Sequence, residues 1–329
     1  MSFPLISHSI QSSINDEYNS KVAVVLVTFY PDLNRLQESL FELSLQVKHV
    51  ILVDNNSLNI NEYIILNLKK NIELDLEFLQ LTENTGIAGG LNKGINRARD
   101  QGFSYVLLMD QDSIPLPNMV KTLQENMIEL ESSGFHVAAT GPRFCDSNGK
   151  NLSYFSRHSY WRTQRLECNE GTKSVLVDIL ISSGTLLSIG AIDQIGLMDE
   201  TLFIDHVDTE WCLRAKFAGW SIFGVCDAYM YHTLGDRRQK FWFLRWRYIS
   251  YHLPFRYYYI FRNGVILMRR PYISLAWKLY CFNQLCMLFG YFVLFAPNRW
   301  LNLRMMWHGL VDVWHGNSGK LKVDLSNSD

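Results

Sequence analysis

The N-terminal third of the chain alternates between short apolar runs and segments in which apolar side chains recur every three or four positions. The run at 21–29 (KVAVVLVTF) is nearly continuous and rich in β-branched residues, which is typical of a strand buried on both faces. Similar runs at 49–53, 76–81 and 105–109 predict three more strands. Because these strands alternate with helices, we expect an α/β fold with a mostly parallel sheet flanked by helices.

Helical spacing fills the intervals between these runs. The leucines within 33–43 are one example. The other segments with this spacing are 60–70, 84–98, which has a glycine-rich start, 119–130 and 208–219. Residues 137–140 predict another strand, and the weak periodicity of 143–173 indicates loops and short strands.

Beyond residue 236 the composition changes. Residues 237–270 carry nine Lys or Arg and no Asp or Glu, and Lys278 is the only charged residue in the apolar stretch 272–297. Asn283-Gln284 interrupts that stretch, so no window clearly reaches the ~20 apolar residues of a spanning helix. We expect basic, aromatic helices that lie on an anionic membrane surface. Burial of the same aromatics in a helical subdomain or a dimer interface is the alternative.

The chain therefore divides into a polar tail at 1–20, a main domain at 21–236 and a C-terminal helical region at 237–329. With 329 residues, of which 48% are hydrophobic, a large core can form. The formal net charge of -1 argues against a nucleic-acid partner. The N-terminus lacks a signal-peptide pattern, and the six cysteines form no CxxC pair or zinc spacing. We expect scattered buried thiols in a cytoplasmic protein.

Polar residues follow three of the predicted strands, at Thr28-Phe29-Tyr30, Asp54 and Asp110. In open α/β sheets, ligands bind in the crevice beyond the carboxyl ends of the strands. In Asp110-Gln111-Asp112, one carboxylate stands on each side of Gln111. Such a pair can hold Mg²⁺ or Mn²⁺ together with substrate phosphates. A polar turn that caps the strand is the alternative.

Two further segments near the strand ends could contact a ligand. Asp54 could accept a hydrogen bond from the imide N–H of uracil or thymine, although Asp54-Asn55-Asn56-Ser57 could equally form a turn cap. The segment 84–94 holds Gly86, Gly89 and Gly90, which would let backbone approach a ligand closely. The segment matches neither a dinucleotide fingerprint nor a P-loop. A flexible loop without a ligand is the alternative interpretation.

The densest acidic cluster lies at 205–211. Asp208 could be the general base that deprotonates an acceptor hydroxyl, or a favourable charge at a helix N-terminus. Glu210 and Arg214 are spaced for an ion pair on a helix surface. His232 could be a buried core histidine, or a metal ligand if it folds back onto Asp112.

These motifs occur in an order that resembles family 2 glycosyltransferases with the GT-A fold, and most closely the bacterial rhamnosyltransferases that use dTDP-L-rhamnose. The resemblance covers residues 20–265. Its motifs are Thr28-Phe29-Tyr30-Pro31, Asp54-Asn55-Asn56-Ser57, the glycine-rich segment 84–90, Asp110-Gln111-Asp112-Ser113 and Asp208-Thr209-Glu210-Trp211-Cys212-Leu213-Arg214. Arg262-Asn263 matches an Arg-Asn pair that follows the core in this branch. Val207 is a departure, because many members have Glu before the base.

The resemblance implies a role for each matching residue. Asp208 would be the catalytic base, and Asp112 and His232 would bind Mg²⁺ or Mn²⁺. Nucleotide-sugar contacts are implied for Thr28, Phe29, Tyr30, Asp54, Asn84, Gly86, Gly89, Asp110 and Gln111, and contacts to the acceptor or support of the site for Glu210, Trp211, Arg214 and Arg262.

The implied reaction is transfer of L-rhamnose with inversion onto a lipid-linked glycan, in surface polysaccharide or O-antigen synthesis at the inner face of the cell membrane. A UDP-hexose donor is the closest alternative. A nucleotidyltransferase is a further one, but it would carry a basic glycine-rich loop where Tyr30-Pro31-Asp32 stands. The last is a non-catalytic membrane scaffold.

Overall fold

The computed structural model describes residues 21–70, 72–145, 152–158, 163–232, 237–243, 245–296 and 299–322. The predicted tail at 1–20 lies outside them. The strands are β1 (Val22–Thr28), β2 (His49–Asp54), β3 (Asp75–Gln80), β4 (Tyr105–Asp110), β5 (Ile114–Pro115), β6 (Val137–Cys145), β7 (Phe155–His158), β8 (Thr163–Leu166), β9 (Ser174–Leu176), β10 (Leu186–Ser188), β11 (Ser221–Tyr231), β12 (Arg237–Phe243) and β13 (Arg245–Tyr251).

Helices connect these strands and form most of the C-terminal region. They are α1 (Leu33–Ser44), α2 (Glu62–Lys69), α3 (Gly86–Asp100), α4 (Met119–Ser132), α5 (Ile189–Ile195), a 3₁₀ turn (Glu200–Leu202), α6 (Val207–Phe217), α7 (Pro254–Arg269), α8 (Leu275–Leu294) and α9 (Arg299–His315). The four N-terminal strands predicted from the sequence are confirmed, with ends that shift by one residue.

The large sheet has the strand order β3-β2-β1-β4-β10-β6-β11-β5, with β9 added against β11. Every residue of β1 is buried, as its continuous apolar run predicts. Parallel pairing on both sides of β1 sets Thr28 beside Asp54 and Val27 beside Asp110. Three polar strand ends therefore meet at one edge, as the sequence predicted.

The sheet is mixed, and the expectation of a mostly parallel sheet holds only for its β3-β2-β1-β4 half. The three-residue strand β10 enters between β4 and β6 and runs antiparallel to both. A second parallel pair, β6 and β11, follows, and β5 and β9 each pair antiparallel with β11.

Two apolar cores cover the two faces of the sheet. On one face, α3 lies directly on β1. A Cβ on Gly94 would come within 2.3 Å of Val25, and one on Gly90 within 2.8 Å of Val27. The glycines that suggested a ligand-binding loop therefore serve in part to bring this helix close to the central strand.

The C-terminal region was expected to be helical, but it begins with a hairpin. β12 pairs antiparallel with β13 in register from Arg237–Tyr251 to Phe243–Arg245. In β13 the order Arg245-Trp246-Arg247-Tyr248 alternates basic and aromatic residues, which suits the two-residue period of a strand. Helices α7, α8 and α9 follow. Among the described residues, no helix is long and apolar enough to cross a bilayer.

One cysteine pair contradicts the expectation of six scattered thiols. Cys168, in the loop after β8, and Cys226, in β11, form a disulfide with a Cα–Cα distance of 5.5 Å. They are 58 residues apart in sequence, so no local motif marks the pair. Of the other cysteines, Cys145, Cys212 and Cys281 are buried and Cys286 is exposed.

Candidate active site

A cleft of about 620 Å³ opens beyond the carboxyl ends of β1 and β4. One wall comes from the ends of these strands and the start of α3. The other comes from the loop at 203–206, the start of α6 and the start of α7. The lining residues are Val27, Thr28, Phe29, Asn55, Asn84, Gly86, Ile87, Asp110, Gln111, Asp112, Ile181, Ser182, Phe203, Ile204, Asp205, His206, Val207, Asp208, His232, His252, Phe255 and Arg256.

Asp110, Asp112 and His232 meet at one end of this cleft. Each offers a ligand atom that lies within 4.8 Å of the other two. Asp110 ends β4, and Asp112 follows in the turn. His232 arrives from the end of β11, because the pairing of Tyr231 with Ile114 sets the two segments side by side. The sequence prediction that His232 could fold back onto Asp112 agrees with this arrangement.

The electrostatics of this cluster fit a divalent cation. Burial and the nearby charges of Asp112 and Asp208 raise the pKa of Asp110 to about 7, and Arg256 lowers it in part. Burial lowers the pKa of His232 despite the opposing charge of Asp112, which keeps the imidazole neutral. Two crowded carboxylates and a neutral imidazole are suitable ligands for Mg²⁺ or Mn²⁺.

Two buried serines hold this cluster in place. The backbone N–H of Asp110 donates to Ser183 Oγ at 3.2 Å, and Ser183 Oγ donates to Ser113 Oγ at 2.7 Å. Ser113 Oγ lies 2.7 Å from His232 Nδ1. A continuous hydroxyl chain therefore links two of the proposed metal ligands. Sequence reasoning missed Ser183, because it lies 70 residues from Ser113.

Gln111 ties the end of β4 to the end of β1. Its Oε1 accepts from the backbone N–H of Phe29 at 2.7 Å, and its Nε2 donates to the Phe29 carbonyl at 3.3 Å. Phe29 and Thr28 line the cleft. Tyr30, predicted to contact the nucleotide, is half exposed, and its ring packs edge-on against Phe29 outside the set of lining residues.

Asp54 does not reach the surface of the cleft. Its side chain is fully buried and accepts from the Thr28 hydroxyl at 2.9 Å, the Ser57 N–H at 2.7 Å and the Ser57 hydroxyl at 2.6 Å. The direct contact with a base that we predicted for Asp54 therefore has no exposed oxygen to make it. The turn-cap alternative describes this arrangement better, and Asp54 orients Thr28.

Asn55 and Asn84 shape the start of α3. Asn55 donates to the Gly86 carbonyl at 3.0 Å and accepts from the Thr85 N–H at 3.2 Å, and Asn84 accepts from the Gly86 N–H at 2.8 Å. Asn55, Asn84 and Gly86 line the cleft. Gly89, also predicted to bind the nucleotide, faces Thr85 within the helix and is not among the lining residues.

Asp208 lies in the first turn of α6 and faces the cleft. Its carboxylate accepts from the backbone N–H of Thr209 at 2.6 Å and from that of Ser182 at 3.3 Å. Burial raises the pKa of Asp208, and these hydrogen bonds together with His206 oppose the rise only in part. A buried carboxylate with increased proton affinity is a suitable general base.

Glu210, Trp211 and Arg214 support the site from behind. Glu210 is buried and pairs with Arg214 through two hydrogen bonds of 2.8 and 2.9 Å, so the surface ion pair that we expected is an internal one. Arg214 also donates to the carbonyls of Ile195 and Leu197, and Trp211 donates to that of Gly196. These side chains fix α6 on the loop after α5, and none of the three lines the cleft.

The Arg262-Asn263 pair fixes the loop that precedes α6. Arg262 donates to the carbonyls of Thr201 and Leu202, and Asn263 Nδ2 lies 2.8–2.9 Å from the carbonyls of Leu202, Ile204 and Asp205. Both side chains are fully buried. In this loop Phe203, Asp205 and His206 all have φ near +64°, an uncommon conformation outside glycine. The pair therefore holds a strained segment beside Asp208.

Several cleft residues were not singled out from the sequence. Phe203, Asp205 and His206 come from the strained loop, and His252, Phe255 and Arg256 from the start of α7. Asp205 and His206 stood in the acidic cluster but were assigned no role. Arg256 is one of the basic residues of 237–270, but this run of basic residues was interpreted as a membrane-binding pattern.

Comparison with known proteins identifies the family. Residues 24–187 match Glycosyl transferase family 2. The dTDP-rhamnosyl transferase RfbF of Shigella flexneri is 31% identical over 260 residues, which cover 78% of this chain and 83% of that protein. The chain belongs to glycosyl transferase family 2. It is therefore a glycosyltransferase, as the order of its motifs predicted.

Solved structures of glycosyltransferases share the fold. S. aureus TarS 1–349 in complex with UDP-GlcNAc has a TM-score of 0.55 at 16% identity and covers 89% of this chain and 80% of that one. Another TarS structure has a TM-score of 0.52 at 17% identity, and this chain spans only 44% of it. GalNAc-T7 with UDP, GalNAc and Mn²⁺ has a TM-score of 0.51 at 13% identity, with 87% and 64% covered. These likenesses support the GT-A fold for the glycosyltransferase.

Proposed function

We propose that this glycosyltransferase transfers L-rhamnose from dTDP-β-L-rhamnose to a hydroxyl of a lipid-linked glycan, in the synthesis of a surface polysaccharide such as O-antigen. The observation that carries the proposal is the 31% identity to a dTDP-rhamnosyl transferase over most of the chain. The cleft supports it, because Asp208 faces the same space as the Asp110, Asp112 and His232 cluster.

In the proposed mechanism, Asp208 accepts the proton of the acceptor hydroxyl while the hydroxyl oxygen attacks the anomeric carbon. The bond from that carbon to the diphosphate breaks on the opposite side, and dTDP leaves. A single displacement inverts the centre, so the β-linked donor gives an α-linked rhamnoside. Asp110, Asp112 and His232 would hold Mg²⁺ or Mn²⁺, which when bound supplies positive charge to the leaving diphosphate.

The wall formed by the end of β1 and the start of α3 is proposed to bind the nucleotide. Phe29 presents an exposed ring and Asn84 an amide to the cleft, and Thr28 lines it with its hydroxyl bonded to Asp54. Asp54 and Gln111 act on this wall by fixing Thr28 and Phe29. Gly86 has φ of +76°, and its lack of a side chain lets Phe203 approach this wall closely.

A donor screen tests this proposal. We expect dTDP-rhamnose to be consumed faster than UDP-hexoses with Mg²⁺ or Mn²⁺, and the product to be an α-rhamnoside by NMR. Preference for a UDP-hexose would instead support the alternative donor. Asp112→Ala and Asp208→Ala serve as controls. If both variants transfer sugar as fast as the parent protein, the catalytic proposal fails and the non-catalytic scaffold is favoured.

We further propose that α8 and α9 bind the inner face of the cell membrane, where a lipid-linked acceptor would lie. Leu275, Phe282 and Phe289 are exposed at seven-residue spacing on α8. On α9, Trp300, Trp307 and Trp314 repeat this spacing and are 76%, 65% and 82% exposed. Seven residues are nearly two helical turns, so each set forms one apolar stripe. Across 275–315, Lys278, Arg299 and Arg304 outnumber the single Asp312, which favours an anionic surface.

Vesicle flotation of the full chain tests membrane binding. Truncation near residue 236 would remove Arg262 and Asn263 from the loop at 201–205, so point variants are the better probe. We expect Trp300→Ser with Trp307→Ser to reduce flotation with anionic vesicles. Tyr63→Ser with Leu66→Ser, which alters equally exposed residues of α2, should leave flotation unchanged. If the tryptophan variant floats as the parent does, but a parent dimer becomes a monomer, α9 is a subunit interface instead.

A further inference from the structure

Acidic side chains outnumber basic ones in the cleft. Asp110, Asp112, Asp205 and Asp208 all line it. Among the described lining residues, Arg256 is the one Lys or Arg side chain. The donor brings a diphosphate into this space, and like charges at close range repel by several kcal/mol when partly buried. A divalent cation at Asp112 would offset part of this repulsion, and Arg256 is the fixed cation that the chain itself supplies.

Arg256 lines the same cleft as Asp110 and Asp112. It lies in the first turn of α7 and donates to both carboxylate oxygens of Asp205. The Arg256 side chain is 31% exposed, so the protein covers it only in part. A planar guanidinium binds phosphate oxygens through paired hydrogen bonds, as it does a carboxylate.

We propose that Arg256 binds the diphosphate of the nucleotide-sugar donor, and that Asp205 holds the guanidinium in place until the donor arrives. The inference rests on the proposed function, since it takes a nucleotide diphosphate as the ligand. It goes beyond that function in naming a catalytic residue and a competing partner. As the bond to the anomeric carbon breaks, negative charge grows on the diphosphate, and Arg256 would stabilise that charge.

The conformation of Asp205 fits the role of a temporary partner. Its φ of +64° is one that Asp and Asn tolerate better than other side chains, and Asn263 fixes its carbonyl at 2.9 Å. The backbone of Asp205 is therefore held independently of its carboxylate. Arg256 could turn from Asp205 to the diphosphate while the loop beside Asp208 keeps its shape.

The test measures binding of dTDP and dTMP by calorimetry, in EDTA and with Mg²⁺. We expect Arg256→Gln to weaken dTDP binding about 10- to 100-fold, as loss of a charged hydrogen-bonding pair predicts, and to weaken dTMP binding less. Arg270→Gln is the matched control. Arg270 also pairs with an aspartate, Asp199, and is similarly exposed at 36%, but it is not among the residues that line the cleft.

The Asp205→Asn variant tests whether Asp205 is a temporary partner of Arg256 or forms a purely structural ion pair with it. If Asp205 competes with the diphosphate, this variant binds dTDP more tightly than the parent, and the gain shrinks when Arg256→Gln is added. If the pair is only structural, both single substitutions weaken binding alike, and the proposal is overturned.

Unchanged dTDP affinity in Arg256→Gln with a raised acceptor KM would assign Arg256 to an acceptor phosphate. A parent protein that binds UDP but not dTDP would contradict the rhamnose donor only, and the Arg256 test would then use UDP.

Discussion

Asn263 donates a hydrogen bond to the backbone carbonyl of Asp205 at 2.9 Å, across 58 residues of sequence. This bond joins the C-terminal helix α7 to the loop that leads into Asp208. Because the loop contains three non-glycine residues with positive φ, it needs such outside support to keep its shape. The C-terminal region is therefore part of the construction of the active site, in addition to any membrane role.

We predict that Asn263→Ala lowers kcat more than it raises the donor KM. The substitution leaves buried carbonyls of the strained loop without a donor, which costs about 1–3 kcal/mol of stability and loosens the position of Asp208. Steady-state kinetics and urea unfolding measure the two effects. Asn59→Ala is a control, since Asn59 also donates to a backbone carbonyl, that of Pro31, but outside the cleft. Normal kcat in a destabilised Asn263→Ala protein would contradict this link.

As the pH is lowered, the transferase activity should begin to fall at a higher pH than it would if the base were an aspartate of ordinary pKa. A general base works only when ionised, and burial raises the pKa of Asp208. The acid limb of kcat, measured with saturating metal and substrates, should therefore lie above the usual aspartate range near 4. A limb at or below pH 4 would argue against Asp208 as the base. Asp208→Asn should lower kcat by about 10²- to 10⁴-fold while dTDP still binds.

Metal binding should stabilise the folded protein through Asp110, Asp112 and His232. A ligand that binds the folded state raises its stability by mass action, so Mg²⁺ or Mn²⁺ should increase the melting temperature. Asp112→Asn should abolish most of this increase. Ser113→Ala should reduce it less, because Ser113 orients His232 without being a ligand. An equal response in the parent protein and Asp112→Asn would place the metal elsewhere.

Gly86 and Gly102 both have positive φ, so alanine substitutions at the two positions separate the cost of backbone strain from the cost of a steric clash. Gly86→Ala should cost several kcal/mol and reduce donor affinity, because its Cβ would come within 2.3 Å of the Phe203 carbonyl at a φ of +76°. Gly102→Ala has a similar φ of +83° but no atom within 4 Å of the new Cβ, so only about 1 kcal/mol is expected. Urea unfolding compares the two. Equal losses would mean that the contact with Phe203 is readily relieved.

The buried ion pair behind the site should matter far more than an exposed one. Glu210→Gln removes a carboxylate that pairs with Arg214 and accepts from Tyr272, which leaves a partly buried guanidinium without its charged partner. Breaking such a pair costs about 3–5 kcal/mol. Glu38→Gln, which breaks the exposed pair with Arg35, should cost below about 1 kcal/mol. Chemical denaturation of both variants measures the contrast.

The sequence predicted the parallel half of the sheet because β1, β2 and β4 are continuous apolar runs that end at polar residues. That pattern also located Thr28 and Asp110 at one edge. It could not show that β10 would enter antiparallel, since a three-residue strand has no period of its own. The hairpin β12–β13 was missed for a different reason. Its basic and aromatic residues were interpreted by composition, although those of β13 alternate from Arg245 to Tyr248.

Some of the site residues could likewise be predicted from the sequence, and others could not. Asp112, Asp208 and His232 were predicted because their residue types suit metal binding or proton transfer, and all three line the cleft. Asp54 was assigned to the ligand, but its oxygens are occupied by Thr28 and Ser57, and burial of this kind depends on neighbours distant in sequence. The role of Arg256 likewise depends on Asp205, which precedes it by 51 residues.

The contacts of the loop at 201–205 also limit how this enzyme can be recombined with its relatives. Gly319 donates to the Thr201 carbonyl at 2.7 Å, the Leu321 N–H donates to Tyr259, and Arg262 spans the space between them. A chimera that joined the donor-binding half of one enzyme to the C-terminal helices of another would mismatch this junction. Exchange of donor preference should therefore succeed best when 200–208, α7 and 319–321 come from the same parent.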